Sequence, residues 1–156
     1  MKTVALELQQ IVTLFAEKIN HISDYDFSVK PLPHKWSGKE IVGHLIDSAQ
    51  NNLRRFITGQ YESVPPKIRY DQNFWVDANQ YQSAKKEDII LLWKLINERI
   101  CAILLSMPEE RYTFTCDTGK DAPELHSLEW LAIDYLKHLK HHLNQIIPGS
   151  FDVIYS

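Results

Sequence analysis

Seven histidines are present, and their positions separate them. His21 falls at a predicted helix end, His34 and His126 in predicted connections, and His44, His138, His141 and His142 within predicted helices. His138 and His142 are four residues apart, which on a helix places both imidazoles on one face about 6 Å apart at the β-carbon. Two imidazoles at that spacing can bind one metal ion, although a partly exposed helix carries such a pair without any ion just as well.

His44 is the candidate third ligand. It lies at the edge of an apolar stripe, and Asp47, Ser48, Asn51 and Arg55 follow at intervals of three and four. That polar row fits an internal cavity, and it also fits a solvated face with a hydrogen-bonded boundary histidine. On the same helical wheel His141 points away from His138 and His142, toward solvent, and is left out of the site.

Three neutral imidazoles would leave an ion with its full charge and an open coordination position, the pattern of a catalytic rather than a structural site. Such an ion brings the pKa of bound water to roughly 7 and stabilises a coordinated thiolate. Zinc, nickel, manganese and iron all accept imidazole ligands, so the residues predict one divalent transition metal ion without choosing it. Asp47 is placed to accept a hydrogen bond from a ligand imidazole or bound water; pairing with a surface cation is its alternative. Arg55, on the His44 row, is a candidate for an anionic substrate group, whereas Arg54 turns further round the helix.

These residues need helices to position them, and the apolar periodicity supplies four. Val4, Leu8, Ile11, Val12, Phe15 and Ile19 mark the first. Residues 23–36 contain Pro31 and Pro33, after which Ser37 and Glu40 give a capping-box pattern that starts the second helix near Ser37. It continues through Ile41, Leu45, Ala49, Leu53 and Phe56 to a stop at Gly59. The third spans about 86–106, with Ile89, Trp93, Ile96 and Ile100 inward, and ends before Pro108. The fourth spans about 127–147, with Leu128, Leu131, Tyr135, Leu139 and Leu143 inward, and stops at Pro148-Gly149. No strand pattern is visible, so the expected fold is all-α: an antiparallel four-helix bundle with long connections over 61–82 and 107–125.

The connection 61–82 carries Tyr70, Phe74, Trp75 and Tyr81, which argues against disorder. Tyr70, Phe74 and Trp75 can roof the cavity or simply pack on the bundle. Trp36, Trp93 and Trp130 are read as core or helix-entry residues, and the final residues FDVIYS as a packed tail.

Composition narrows the function classes. Seventeen basic residues against twenty acidic ones give a net charge of -3 without blocks of either sign, so no nucleic acid or anionic membrane partner is expected. The N-terminal segment carries Glu7 and Glu17 among its apolar residues and reads as an amphipathic helix, not a signal or membrane-spanning segment. Cys101 and Cys116 form no CxxC pair, and Cys101 sits in an apolar run as core filling, which indicates a reducing, cytoplasmic compartment. The 156 residues suit a single domain, 1–156, acting on a small-molecule substrate.

Three segments, KWSGKEIVGHLIDSAQNNLRRF, IRYDQNFW and YLKHLKHHLNQI, resemble the DinB/YfiT superfamily of metalloenzymes. The YfiT-like branch is similar in its aromatic linker, Tyr70 to Trp75, and in Thr118-Gly119 followed by Ser127-Leu128-Glu129. The resemblance implies a four-helix bundle with metal on His44 of the H-L-I-D-S element and on His138 and His142 of H-L-K-H-H. Where some members carry a further histidine this chain has Gln145, one turn beyond His142 and able to hydrogen-bond a ligand or substrate. The resemblance also implies a homodimer, and either transfer of a low-molecular-weight thiol such as bacillithiol to an electrophile or metal-dependent hydrolysis of a small ester or amide. The expectation leans to thiol transfer, with Tyr70, Trp75 and Arg55 lining the substrate pocket; a non-catalytic metal-binding module is the remaining class.

Overall fold

The computed structural model describes residues 1–155. Its order is α1 (Lys2–Asn20), α2 (Asp24–Ser28), α3 (Gly38–Thr58), α4 (Gln72–Asn79), a 3-10 turn (Tyr81–Ser83), α5 (Lys86–Ser106), a second 3-10 turn (Glu109–Arg111), β1 (Thr115–Asp117), β2 (Leu125–Ser127) and α6 (Leu128–Ile146). The helices α1, α3, α5 and α6 are the four that periodicity predicts. Ser37 Oγ accepts from Glu40 N while Glu40 Oε2 accepts from Ser37 N at 2.8 Å, so the capping box starts α3 where expected.

The four long helices pack in a ring: α5 lies against α1 and α3, and α6 against α3 and α1. Their directions follow from the contacts at their ends. Cys101 of α5 donates to Ala5 O of α1, and Lys86 at the other end of α5 donates to Asn20 O and Ile22 O, so α1 and α5 are antiparallel. Lys39 Nζ donates to Ala84 O, which puts the starts of α3 and α5 together. His44 meets His138, and Gly59 abuts Leu128, so α3 and α6 are antiparallel. The pairs Glu7–Lys140 and Phe15–Phe151 run in step, making α1 and α6 parallel. The bundle therefore runs up, down, down, up. Because α3 and α5 point the same way, the chain must return the length of a 21-residue helix between them, about 30 Å, which is why that connection is long.

Three segments read as irregular have structure of their own. Ser23 caps α2, its Oγ accepting from Asp26 N at 3.0 Å. Asp71 caps α4, its Oδ1 accepting from Phe74 N at 3.0 Å, so a helix lies inside the aromatic connection. The connection before α6 holds an antiparallel two-stranded hairpin, with Thr115 opposite Ser127 and Asp117 opposite Leu125. Its three-residue strands are too short to show alternation.

The core is formed by the inward faces of the four long helices, with Trp93, Tyr135, Phe15 and Phe56 fully buried. Tyr135 OH donates to Asn97 Oδ1 at 2.6 Å, which satisfies both buried polar groups. Trp130, read as core or helix-entry, lies in the first turn of α6 but is 46% exposed, stacked on His126 with ring centroids 3.7 Å apart. Among the described residues no helix is long and apolar enough to cross a membrane.

Candidate metal centre

His44 lies in the second turn of α3, fully buried, and faces His138 and His142 on adjacent turns of α6. One nitrogen from each ring falls within 4.8 Å of the other two. His44 Nε2 and His138 Nε2 are 3.1 Å apart. The ring centroids form a near-equilateral triangle with sides of 5.0, 4.6 and 4.5 Å. The antiparallel packing of α3 on α6 brings together side chains 94 residues apart.

The electrostatics suit a cation. Burial lowers the His44 pKa to about 3, with His142 adding repulsion. Burial, then His142, His44 and His141, lower that of His138 to about 2. Burial also lowers His142 to about 4, partly opposed by its hydrogen bond to Gln145. All three rings are therefore neutral at pH 7 with a nitrogen lone pair each. His142 Nδ1 donates to Gln145 Oε1 at 3.2 Å, leaving Nε2 as its lone-pair nitrogen. His138 Nδ1 lies 3.5 Å from Ser48 Oγ, and its Nε2 is the nitrogen that faces His44. Two nitrogens bound to one ion at 2.0–2.1 Å in tetrahedral geometry lie roughly 3.3 Å apart, close to the His44–His138 separation. The donor set fits a divalent transition metal ion.

The other expected residues are distributed as follows. Asp47 is buried, but its Oδ1 accepts from Tyr81 OH at 2.6 Å and Asn79 Nδ2 at 3.0 Å, and it bonds to no imidazole. Its Oδ2 and His44 Nδ1 are both buried without a hydrogen-bond partner. Burial raises the Asp47 carboxyl to about 6, the Tyr81 bond opposing that rise. Asp47 thus ties the connection around α4 to α3. Arg55 is half-buried and donates to Ile68 O at 3.1 and 2.7 Å and to Asn52 Oδ1 at 3.3 Å. Tyr70 stands 6.5 Å from His44, ring to ring, with Trp75 5.4 Å beyond it. Phe74 is 69% exposed and roofs nothing. His141 is half-buried, not solvent-facing: the tail folds back and sets Tyr155 5.7 Å from it and 5.3 Å from His138.

Two side chains gain a place that the sequence reading did not give them. Trp36, just before α3, covers His44 at 4.9 Å and reaches His142 at 6.4 Å. Tyr155 closes the His138 side. The available signal was Trp36 next to the Ser37 cap, which fixes that ring at the helix start beside His44. A cleft of about 880 Å³ opens beside His142, walled by Trp36, Phe27, Leu32, Asn73, Gln145 and Ile146. Arg55, Tyr70 and Trp75 do not line it. Arg55 is held elsewhere by the Ile68 carbonyl.

A model of the DinB superfamily matches residues 7–146. The chain belongs to the DinB superfamily. It is 22% identical over 143 residues to YfiT of Bacillus subtilis (strain 168), covering 92% of this chain and 80% of that protein. The YfiT structure, described as that of a probable metal-dependent hydrolase with an unusual four-helix bundle topology, superimposes with a TM-score of 0.71 at 19% identity over 93% of this chain and 87% of that one. A mutant of a mycothiol-dependent maleylpyruvate isomerase matches with a TM-score of 0.69 at 8% identity, over all of this chain and 62% of that one. A DinB-like protein from Bacillus subtilis matches at 0.62 and 20% identity, covering 99% and 94%. The DinB-superfamily fold of this chain thus presents His44, His138 and His142 at one end of the bundle.

Proposed function

We propose that this chain is a metal-dependent enzyme that transfers a low-molecular-weight thiol to a small electrophilic substrate. The observation that carries the reading is the triad itself: three neutral imidazoles, His44 buried and His138 and His142 half-buried, with no carboxylate among the grouped ligands, beside an open cleft. A divalent ion held there would act as a Lewis acid that lowers the pKa of a bound thiol or water.

The chain's own residues orient and enclose. Gln145 fixes the tautomer of His142, and Ser48 faces Nδ1 of His138. Trp36 and Tyr155 pack against the rings and keep bulk water from the His44 and His138 sides. The Arg55 guanidinium bonds only to neutral acceptors, so its charge is available to a carboxylate of the thiol. A thiol needs no separate base, since its proton leaves readily beside a cation. A water nucleophile gains from a carboxylate base; Asp47 Oδ1 is taken by Tyr81 and Asn79, and its Oδ2 is the oxygen left for that role in a hydrolysis.

Hydrolysis of a small ester or amide is the second reading, favoured by the description of YfiT at 22% identity. The test loads tag-free protein separately with zinc, nickel, manganese or iron. Each form is assayed for bromobimane alkylation of bacillithiol, mycothiol or cysteine, and for nitrophenyl acetate cleavage without thiol. The proposal expects accelerated thioether formation, with bromide and a proton released, and loss of it in His142→Ala. Ester cleavage without thiol dependence would establish the hydrolase instead, and metal binding without either activity would leave a binding module.

A further inference from the structure

The cleft beside His142 carries exposed apolar side chains. Tyr25, Val29 and Leu32 line it and are 77%, 43% and 51% exposed, all on the segment between α1 and α3. Single exposed apolar side chains need no explanation. Several on one short segment facing one hollow beside a candidate metal centre mark a ligand site. Phe27 and Trp36 supply aromatic walls, and His142, Gln145 and Asn73 are among the polar groups that line the cleft.

Charge on the walls is balanced. Asp26 and Lys35 are of opposite sign, His34 is the one other histidine besides His142 on the walls, and Asp26 already accepts from Ser23 Oγ at 2.6 Å. The guanidinium of Arg55 is not among the lining groups. A volume of about 880 Å³ falls within the range of small-molecule sites.

We infer that this cleft binds the body of the second substrate, an uncharged and mainly apolar compound, aromatic or short-chain aliphatic, with its reactive end turned to His142. The assignment of a reactive end rests on the function proposed above; the binding of an apolar body does not.

The probe is N-phenylnaphthylamine, neutral and fluorescent in apolar surroundings, titrated into metal-loaded protein. Saturable single-site binding is expected for the wild type and for Leu105→Asp, a control on the exposed face of α5. Val29→Asp and Leu32→Asp place a carboxylate against the probe and should each weaken binding about tenfold or more. Both residues are exposed, so thermal melts should match the wild type and separate lost binding from lost folding. A neutral naphthoate methyl ester should displace the probe better than the free naphthoate. Absent binding in the wild type, equal affinity in all variants, or preference for the anion would overturn the inference. Probe binding without turnover in either assay would retain the cleft and remove the proposed function. Turnover indifferent to Val29→Asp and Leu32→Asp would do the reverse.

Discussion

Gln145 joins two histidines: its Oε1 lies 3.2 Å from His142 Nδ1 and its Nε2 lies 3.1 Å from His141 Nε2. One amide therefore fixes which nitrogen of His142 keeps its lone pair, and links His141, itself outside the ligand group, to the centre. Gln145→Leu should weaken metal binding about 10–100-fold, the range for partners that orient a ligand. Gln145→Glu, which keeps an acceptor at that position, should retain or strengthen it. Competition with a chromophoric chelator measures both; an affinity in Gln145→Leu equal to the wild type would show that the contact orients nothing.

Metal content tests the triad directly. Tag-free wild-type protein should carry roughly one ion per chain by elemental mass spectrometry, as a single three-histidine site requires. His44→Ala, His138→Ala and His142→Ala should each lose it, while His141→Ala should keep it. Metal retained in all three ligand variants would dissolve the site.

Gly43 of α3 lies under the Tyr81 ring. A Cβ at that position would sit 2.1 Å from Tyr81 Cδ2, so Gly43→Ala must push the ring away and stretch its bond to Asp47. Overpacking of this kind costs about 1–3 kcal/mol, despite the better helix propensity of alanine. Urea unfolding gives the value, and a neutral or stabilising result would mean that the connection around α4 moves freely.

Acid should destabilise the metal-free protein. His44, His138 and His142 have folded pKa values lowered to about 3, 2 and 4 from the ordinary histidine value of 6.5, so below pH 6.5 the unfolded chain binds more protons than the folded one. Stability contributed by the three rings is full above pH 6.5 and falls as the pH drops toward 4. Asp47 acts oppositely: raised from 3.8 to about 6, it favours the folded state below pH 3.8 and loses that effect as the pH rises through 6. Three groups outweigh one, so the melting temperature should fall between pH 7 and pH 4. A flat profile would mean that the rings are solvated.

Much of this was legible in the residues themselves. The long helices follow from apolar spacing, the start of α3 from Ser37 and Glu40, and the triad from the resemblance carried by the two histidine motifs, for which periodicity alone left a solvated face open. What escaped depends on contacts distant in sequence. The pairing of Cys116 with His126 spans three residues per strand, too few to carry a pattern. The common direction of α3 and α5 is set by end contacts such as Lys39 with Ala84, which no local spacing encodes. Asp47 was read from its distance to His44, three residues on, yet its partners come from Asn79 and Tyr81. Trp36 was visible only as a helix-entry residue, because its role depends on where α6 brings His142.

The 94 residues separating His44 from His138 make the centre a potential staple as well as a site of chemistry. An ion held by both helices closes a loop that contains α4, α5 and the hairpin. By the chain-entropy reckoning used for disulfides, closing a loop of that size in the unfolded chain is worth on the order of 4–5 kcal/mol. An ion that stayed on its ligands through unfolding would act as a cross-link; one that left would stabilise only the folded chain by mass action. In either case the segments outside the loop, α1 to the start of α3 and the tail after His142, are held only by packing, Phe15 of α1 against Phe151 of the tail among them, and gain nothing directly from the closed loop.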